Sequence, residues 1–153
     1  MRLQEYITKK GLKAEIIEFT SPTMTVEESV VALGCKTDEI IKSMIVITDS
    51  EDFYLVILQG NRRIKTRKLK KLLNVKDIKL ASPTQVLKAT GYKVGDVPPV
   101  SVNLPIILDE LVIEQEGIKL YGGGGAPQKL LAISLEELLE CLDPIVADIS
   151  VPI

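Results

Sequence analysis

The sequence contains no histidine and no tryptophan, and only two of its 153 residues are cysteines. The absence of histidine excludes Ser-His-Asp and Cys-His catalytic sites, HExxH zinc sites and acid–base catalysis by imidazole. Any chemistry must therefore use lysine, carboxylates, hydroxyls, backbone amides, water or groups of the substrate itself. Without tryptophan, the core must be built from isoleucine, valine and leucine.

Long apolar runs and metal-binding motifs are also missing. Cys35 and Cys141 do not form a CxxC pair, so we expect no disulfide framework and no metal site, and we expect both to be buried as small apolar side chains. We also expect no cofactor. No run is long enough to cross a bilayer, and the first 13 residues lack the apolar middle of a signal peptide. We therefore expect a cytoplasmic protein with no membrane partner.

The apolar pattern that remains interleaves strands with helices. Strands are predicted at residues 14–19, 42–48, 53–59, 77–81, 105–110, 111–115, 118–122, 130–133 and 145–151. Capping boxes at residues 25–28, 82–85 and 134–137 predict three helix starts. Because tight turns join several strand pairs, the sheet must be mixed. We predict a single α+β domain over residues 1–153, with a mixed, curved or barrel-like β-sheet flanked by helices.

Positive charge is concentrated in one segment of a chain whose net charge is −2. The segment RRIKTRKLKK contains no acid and seven cations, namely Arg62, Arg63, Lys65, Arg67, Lys68, Lys70 and Lys71. It leads into a short helix with Leu69, Leu72 and Leu73 predicted to face inward. The segment is either a solvated helix face or a phosphate-binding surface, and its composition alone favours neither.

Three further features could belong to a site. Lys42 begins a strongly apolar strand, where most lysines are simply exposed, but the end of a central strand can also open at the edge of the sheet. The glycines of YGGGGAP (121–127) either form a loose loop or let the backbone approach a ligand. The stretch GDVPP (95–99) is stiffened by its prolines. Within it, Asp96 is either a turn residue or a pocket carboxylate.

Several of these stretches together resemble the YbaK/ProX family of aminoacyl-tRNA deacylases, which is related to the editing domain of bacterial prolyl-tRNA synthetase. The similarity runs through TVEESVVALGC, EIIKSMIV, LQGNRRI, ASPTQVLKATGYKVGDVPP, ILDE, the glycines at 122–125 and VADISV, so it covers nearly the whole chain. After Pro-Pro, many members carry Phe-Gly-His, whereas this chain has Val100-Ser101-Val102.

The resemblance implies which residues form the site. Lys42 matches the family lysine most tied to activity, and the family's G-x-x-x-P loop matches residues 95–99. The implied substrate-binding residues are Thr23, Ser43, Gly95, Asp96, Val97, Pro98, Pro99, Gly122, Gly123, Gly124 and Gly125. The seven cations of RRIKTRKLKK would bind tRNA phosphates.

The resemblance also implies the activity, namely hydrolysis of the ester of a mischarged tRNA. Alanine or cysteine on the tRNA for proline, and small hydroxyl amino acids, remain open as substrates. The expected partners are tRNA and a synthetase, without DNA, and both a monomer and a homodimer remain open. Two alternatives are a non-catalytic module that binds tRNA or a synthetase, and a nucleotide- or small-metabolite-binding protein that uses the glycine loop.

Overall fold

A computed structural model describes residues 2–114 and 119–153 of the chain. Its helices are α1 (Leu3–Lys10), α2 (Val26–Leu33), α3 (Thr66–Leu73), α4 (Pro83–Thr90), α5 (Glu110–Ile113) and α6 (Leu135–Cys141). Its strands are β1 (Glu15–Glu18), β2 (Ile41–Thr48), β3 (Phe53–Gln59), β4 (Arg62–Ile64), β5 (Ile78–Leu80), β6 (Ile106–Asp109), β7 (Lys119–Gly123), β8 (Lys129–Ser134), β9 (Ile145–Ala147) and β10 (Ser150–Pro152). None of the described helices is long and apolar enough to cross a membrane.

The strands form three sheets, in the orders β5-β2-β3-β6-β9, β1-β8-β7 and β10-β4. In the five-stranded sheet, β2 runs antiparallel to β3 and β5, whereas β3, β6 and β9 run parallel. A parallel bridge between Ile40 and Tyr121 connects this sheet to the three-stranded one. The predicted fold class, a mixed sheet with flanking helices, is therefore confirmed.

Alternation along the central strands supplies apolar side chains to both faces of the five-stranded sheet. Leu55 and Ile57 of β3 belong to one buried cluster, with the helices α1 and α6. Val56 and Leu58 belong to a second cluster on the opposite face, together with Leu69 of α3. Because side chains of a strand point alternately to its two faces, one short strand joins both halves of the core.

The predicted capping boxes are correct at two of three helices. Both hydrogen bonds of the box form at α2 and at α4. At α6, the Ser134 hydroxyl accepts from the Glu137 amide, but the Glu137 carboxylate reaches elsewhere. It accepts from the amides of Lys13 and Ala14, at 2.7 and 2.9 Å. The second hydrogen bond of the capping box is therefore replaced by a contact between α6 and the residues just before β1.

Several other predictions were wrong. Residues 110–113 form α5 rather than a strand, since a short apolar run does not distinguish the two, and residues 115 and 118 lie outside the described part. The predicted strand 145–151 is two strands that pair with different partners. Leu72 is 38% exposed, because only one row of the short helix α3 meets the sheet. Cys35 and Cys141 are free and only half-buried.

A buried carboxylate connects the end of β6 to the two-stranded sheet. Asp109 is fully buried and accepts from the Ile149 amide at 3.1 Å and from the Ser150 hydroxyl at 2.9 Å. The Ser150 hydroxyl in turn accepts from Arg62 Nε at 2.7 Å. These bonds hold β10 and β4 beside the larger sheet, and they give Arg62 a structural role.

Replacing this carboxylate should destabilise the fold. In Asp109→Asn the side chain loses its charge and one acceptor oxygen, so the Ser150–Arg62 chain cannot be completed. We expect a loss of about 1.5–3 kcal/mol in the free energy of unfolding, as for hydrogen bonds to charged groups, measured by urea denaturation.

Asp148→Asn is the matched control. Asp148 is 54% exposed and pairs with Lys68 at 2.8 Å, so its loss should cost no more than about 1 kcal/mol. Equal effects of the two substitutions would contradict the role assigned to Asp109.

Candidate functional site

The main cavity lies at an edge of β2 and has a volume of about 360 Å³. We call it the edge cavity. Its walls come from residues 23–26 and 29, from β2, from the end of β5, from α4, from residues 94, 95 and 97 and from the start of the glycine loop. The lining is largely apolar, as is typical of small-molecule sites.

The edge cavity exists because β2 has a strand on one side along its whole length but not on the other. It pairs with β3 from Ile41 to Ile47, whereas β5 pairs only from Val46 onward. At the start of β2, the Ile40–Tyr121 bridge reaches the other sheet. Between these contacts, the described strands leave one edge of β2 open, and this opening is the cavity.

The register shows which backbone groups face the opening. The Gly60 amide donates to Ile40 and the Thr48 amide donates to Asp52, so even-numbered residues of β2 bond toward β3. The Ile45 carbonyl accepts from the Ala81 amide on the opposite side, at 2.9 Å. Because hydrogen-bonding directions alternate along a strand, the backbone N–H and C=O of Ser43 also point to that side. No described strand pairs with Ser43 there.

The side chain of Ser43 also lacks a partner. Its hydroxyl oxygen is buried and has no hydrogen bond within the described part of the chain. A buried polar group without a partner costs free energy, and such groups in folded proteins call for an explanation. Ser43 lines the edge cavity, where a bound ligand could supply the missing hydrogen bond.

Lys42 is half-buried and lines the same cavity. Burial lowers the pKa of its ammonium group from the ordinary value, and the charge of Glu27 partly opposes this shift. Within residues 2–114 and 119–153 this ammonium group forms no hydrogen bond and no ion pair. A cation kept partly desolvated and unpaired beside a cavity is suited to an anionic or strongly polar ligand.

The 95–99 loop packs directly on the glycine loop. A Cβ atom at Gly123 would lie 2.2 Å from the Val97 carbonyl oxygen, so only glycine permits this approach. The Gly125 amide donates to the Asp96 carbonyl at 2.9 Å, and the Gly124 amide donates to Lys129 at 3.1 Å. These two amides therefore already have acceptors within the described part of the chain.

The cavity brings together seven of the predicted site residues, Thr23, Lys42, Ser43, Gly95, Val97, Gly122 and Gly123. The other five, Asp96, Pro98, Pro99, Gly124 and Gly125, do not line it. Burial raises the pKa of Asp96, which is 5% exposed, and its amide closes a turn to Lys93. The hydrogen bond from Gly125 to Asp96 holds the 95–99 loop against the glycine loop.

The family departure at residues 100–102 also lies away from the lining. Val100 is 1% exposed and belongs to the core, and Val102 packs against it. The Ser101 hydroxyl lies 2.7 Å from the Tyr92 hydroxyl. The change therefore alters packing behind the loop and not the cavity surface.

Some lining residues were not predicted. Ile41 and Ile45 share the face of Ser43, and period-two alternation could have identified them. Met24, Leu80 and Val94 contribute apolar surface from loops and strand ends, and no local pattern signals their convergence.

The seven predicted tRNA-binding cations are not equivalent. Arg62 is bonded to Ser150, and Lys68 is paired with Asp148. Arg63, Arg67 and Lys71 are exposed, whereas Lys65 and Lys70 are half-buried. Arg63 also lines a second cavity of about 210 Å³, on the α3 side of β2, which shares Lys42 with the first. We call it the cationic cavity. The basic segment therefore reaches the neighbourhood of Lys42.

Metal ligands are not gathered anywhere in the described ranges. No group of three or more histidine, cysteine, aspartate or glutamate side chains there could hold a metal ion. The arrangement instead offers a cation, a hydroxyl and the backbone N–H of Ser43 around an apolar space. Such groups can bind and polarise a small ester or amide.

Comparisons with curated proteins find synthetases. The chain is 35% identical over 111 residues to proline–tRNA ligase of Caldicellulosiruptor bescii and 33% identical over 113 residues to that of Halalkalibacterium halodurans. These matches cover 72% and 74% of this chain, but 19% of each ligase. The chain thus spans about a fifth of the length of these curated relatives.

Comparisons with solved structures and with protein families agree. A crystal structure of a hypothetical protein is 35% identical, with a TM-score of 0.89 and coverage of 99% of this chain and 100% of that one. A candidate trans-editing enzyme for prolyl tRNA synthetase is 29% identical, with a TM-score of 0.87 and coverage of 98% and 95%. The model of the aminoacyl-tRNA editing domain matches residues 20–141. The chain therefore belongs to the aminoacyl-tRNA editing domain family.

Proposed function

We propose that this protein is a trans-acting deacylase that hydrolyses the ester between a small amino acid, such as alanine or cysteine, and a mischarged tRNA, with the tRNA for proline as the preferred carrier. The observation that carries this proposal is the opening beside β2, where Lys42 and the unpartnered Ser43 face one small apolar space. Membership of the editing family and the similarity to proline–tRNA ligases support the choice of substrate. A cytoplasmic setting is part of the same proposal.

The reaction needs water, a polarised carbonyl and a leaving ribose oxygen. Water adds to the ester carbonyl, the carbon–ribose oxygen bond breaks, the ribose oxygen takes a proton and the free amino acid leaves as a carboxylate. The chain has no histidine, so groups of the substrate handle the proton from water. The neighbouring ribose hydroxyl accepts it while passing its own proton to the leaving ribose oxygen, or the substrate's amino group accepts it. Metal is not required in this scheme.

The protein groups then stabilise the charge on the carbonyl oxygen. The Ser43 amide points into the opening and is placed to donate to that oxygen, and Lys42 supplies positive charge beside it. Preorganised donors of this kind are worth more in a water-poor site than in solvent, and losing one costs about 10²–10³ in rate. The Ser43 hydroxyl positions the substrate through a further hydrogen bond.

Selection of small amino acids follows from the shape of the edge cavity. Val97 is 5% exposed and is held by contact between its carbonyl and Gly123, so this wall cannot withdraw easily. In an apolar pocket, each added or missing methylene of the substrate changes discrimination by only about 1–3 kcal/mol. A rigid wall can still reject a larger, correctly charged amino acid by steric clash.

Lys42→Met should lower the deacylation rate by about 10²-fold, since it removes the charge beside the carbonyl. The same substitution should stabilise the fold. Because the Lys42 pKa is lower in the folded than in the unfolded chain, the unfolded chain binds this proton more tightly, and the buried charge destabilises the fold at pH 7. The free energy of unfolding of the wild type should therefore rise as the pH increases from the folded to the unfolded pKa of Lys42. We expect Lys42→Met to raise the urea midpoint at pH 7.

The measurement is release of amino acid from a panel of charged tRNAs, with Lys36→Met as the control. Lys36 is exposed and lines neither cavity. If the wild type releases no amino acid faster than buffer does, the deacylase proposal fails and a non-catalytic tRNA-binding module becomes the better account.

Ser43→Ala should separate function from folding. Removing an unsatisfied buried hydroxyl should leave the free energy of unfolding unchanged or raise it, by about 3 kcal/mol at most. The deacylation rate should fall about tenfold. Ser43→Thr keeps the hydroxyl and should restore most of the rate. Loss of rate in Ser43→Thr equal to that in Ser43→Ala would contradict a role for the hydroxyl.

Arg67→Ala combined with Lys71→Ala should weaken tRNA binding because both cations are exposed and lack partners among the described residues. The slope of log affinity against log salt should flatten by about 0.7–0.9 for each phosphate that the protein no longer neutralises. The control is Lys9→Ala combined with Lys13→Ala, which removes the same charge from another surface. Equal effects of the two pairs would show that net charge, not this segment, determines binding.

A further inference from the structure

The cationic cavity has an apolar floor and a charged rim. Met44, Val46, Leu69 and Ile78 supply the floor, and Lys42, Arg63 and Lys79 supply the charge. Its volume of about 210 Å³ lies below the roughly 300–1,000 Å³ typical of drug-sized ligand sites. Its occupant is therefore a group of limited size, such as one nucleobase.

The three cations of the rim are available to a ligand. Arg63 and Lys79 are exposed, and Lys42 is half-buried. In the ranges 2–114 and 119–153, none of the three side chains forms a hydrogen bond or an ion pair. Nearby Arg62 and Lys68, in contrast, bind Ser150 and Asp148. Unpaired like charges around one cavity raise the local positive potential, which an anion would relieve.

The apolar floor indicates more than a bare anion. Inorganic phosphate gains nothing from the Met44 thioether or the branched side chains beneath it. A planar aromatic base does, since it buries apolar area there and contacts the sulfur favourably. A nucleotide combines both features, with a base for the floor and a phosphate for the rim.

The two cavities meet at residues of β2 and β5. Lys42, Met44 and Leu80 line both of them. Ser43 lines only the edge cavity and Arg63 lines only the cationic one. A ligand that filled both would therefore pass Lys42 at the junction between its two parts.

We propose that the cationic cavity binds the 3′-terminal nucleotide of the charged RNA, with its base on Met44 and its 5′-phosphate against Arg63 and Lys79. This inference rests on the proposed function, because it places the aminoacyl group in the edge cavity and the ester beside Lys42. Arg63 and Lys79 thereby become positioning residues that set where the ester lies.

Methionine methyl groups offer a direct test. The chain has three methionines, of which Met44 lines both cavities and Met24 lines the edge cavity alone. In protein labelled with ¹³C at the methionine methyls, titration with adenosine 5′-monophosphate should shift the Met44 signal saturably and leave Met24 in place. Adenosine and inorganic phosphate, given separately, should each bind more weakly.

Variants then assign the phosphate contact. Arg63→Ala should weaken adenosine 5′-monophosphate about tenfold or more, as expected for loss of a charge-assisted hydrogen bond. Arg2→Ala, which removes another exposed arginine, should leave the affinity unchanged. Equal shifts of Met24 and Met44, or equal affinities of Arg63→Ala and Arg2→Ala, would overturn the nucleotide site.

The deacylation panel keeps the two proposals distinguishable. Deacylation without a Met44 response to the nucleotide would overturn this site and leave the proposed function standing. A Met44 response without deacylation of any charged tRNA would support nucleotide binding and overturn the proposed function.

Discussion

The site depends on incomplete pairing of one strand. β2 is hydrogen-bonded to β3 along its length, which fixes its position in the core, but on its other edge β5 joins only from Val46 onward. Open strand edges usually invite pairing with another chain. Here the open part is short and lies inside a cavity, so the free backbone groups of Ser43 become available to a ligand instead of to another strand.

Close backbone packing fixes the opposite wall. The contact between Val97 and Gly123, and the hydrogen bond from Gly125 to Asp96, fasten the 95–99 loop to β7. The glycines therefore serve mainly to permit this approach and only partly to face a ligand. A wall held in this way is stiff, which is the property that the proposed selection by size requires.

Because side chains alternate along β2, the neighbouring residues Lys42 and Ser43 face opposite sides of the sheet. Ser43 faces the edge cavity with Ile41 and Ile45, whereas Lys42 shares the face of Met44 and Val46 and reaches both cavities. The cations of the basic segment divide similarly, since Arg62 completes the Asp109 network and Arg63 lies at the cationic rim. Of these two adjacent arginines, one therefore has a structural role and the other lines a cavity.

The sequence by itself determined the mixed fold class, two complete capping boxes and the absence of imidazole chemistry, because these depend on composition and local periodicity. It also identified Lys42, the 95–99 loop and the glycines at 122–125 as candidate site residues. Tertiary structure decided that α5 is a helix, that Glu137 bonds to Lys13 and Ala14, and that Arg62 is not free. It alone decided where β5 ends along β2, and so where the cavity opens, because pairing between distant segments leaves no local pattern.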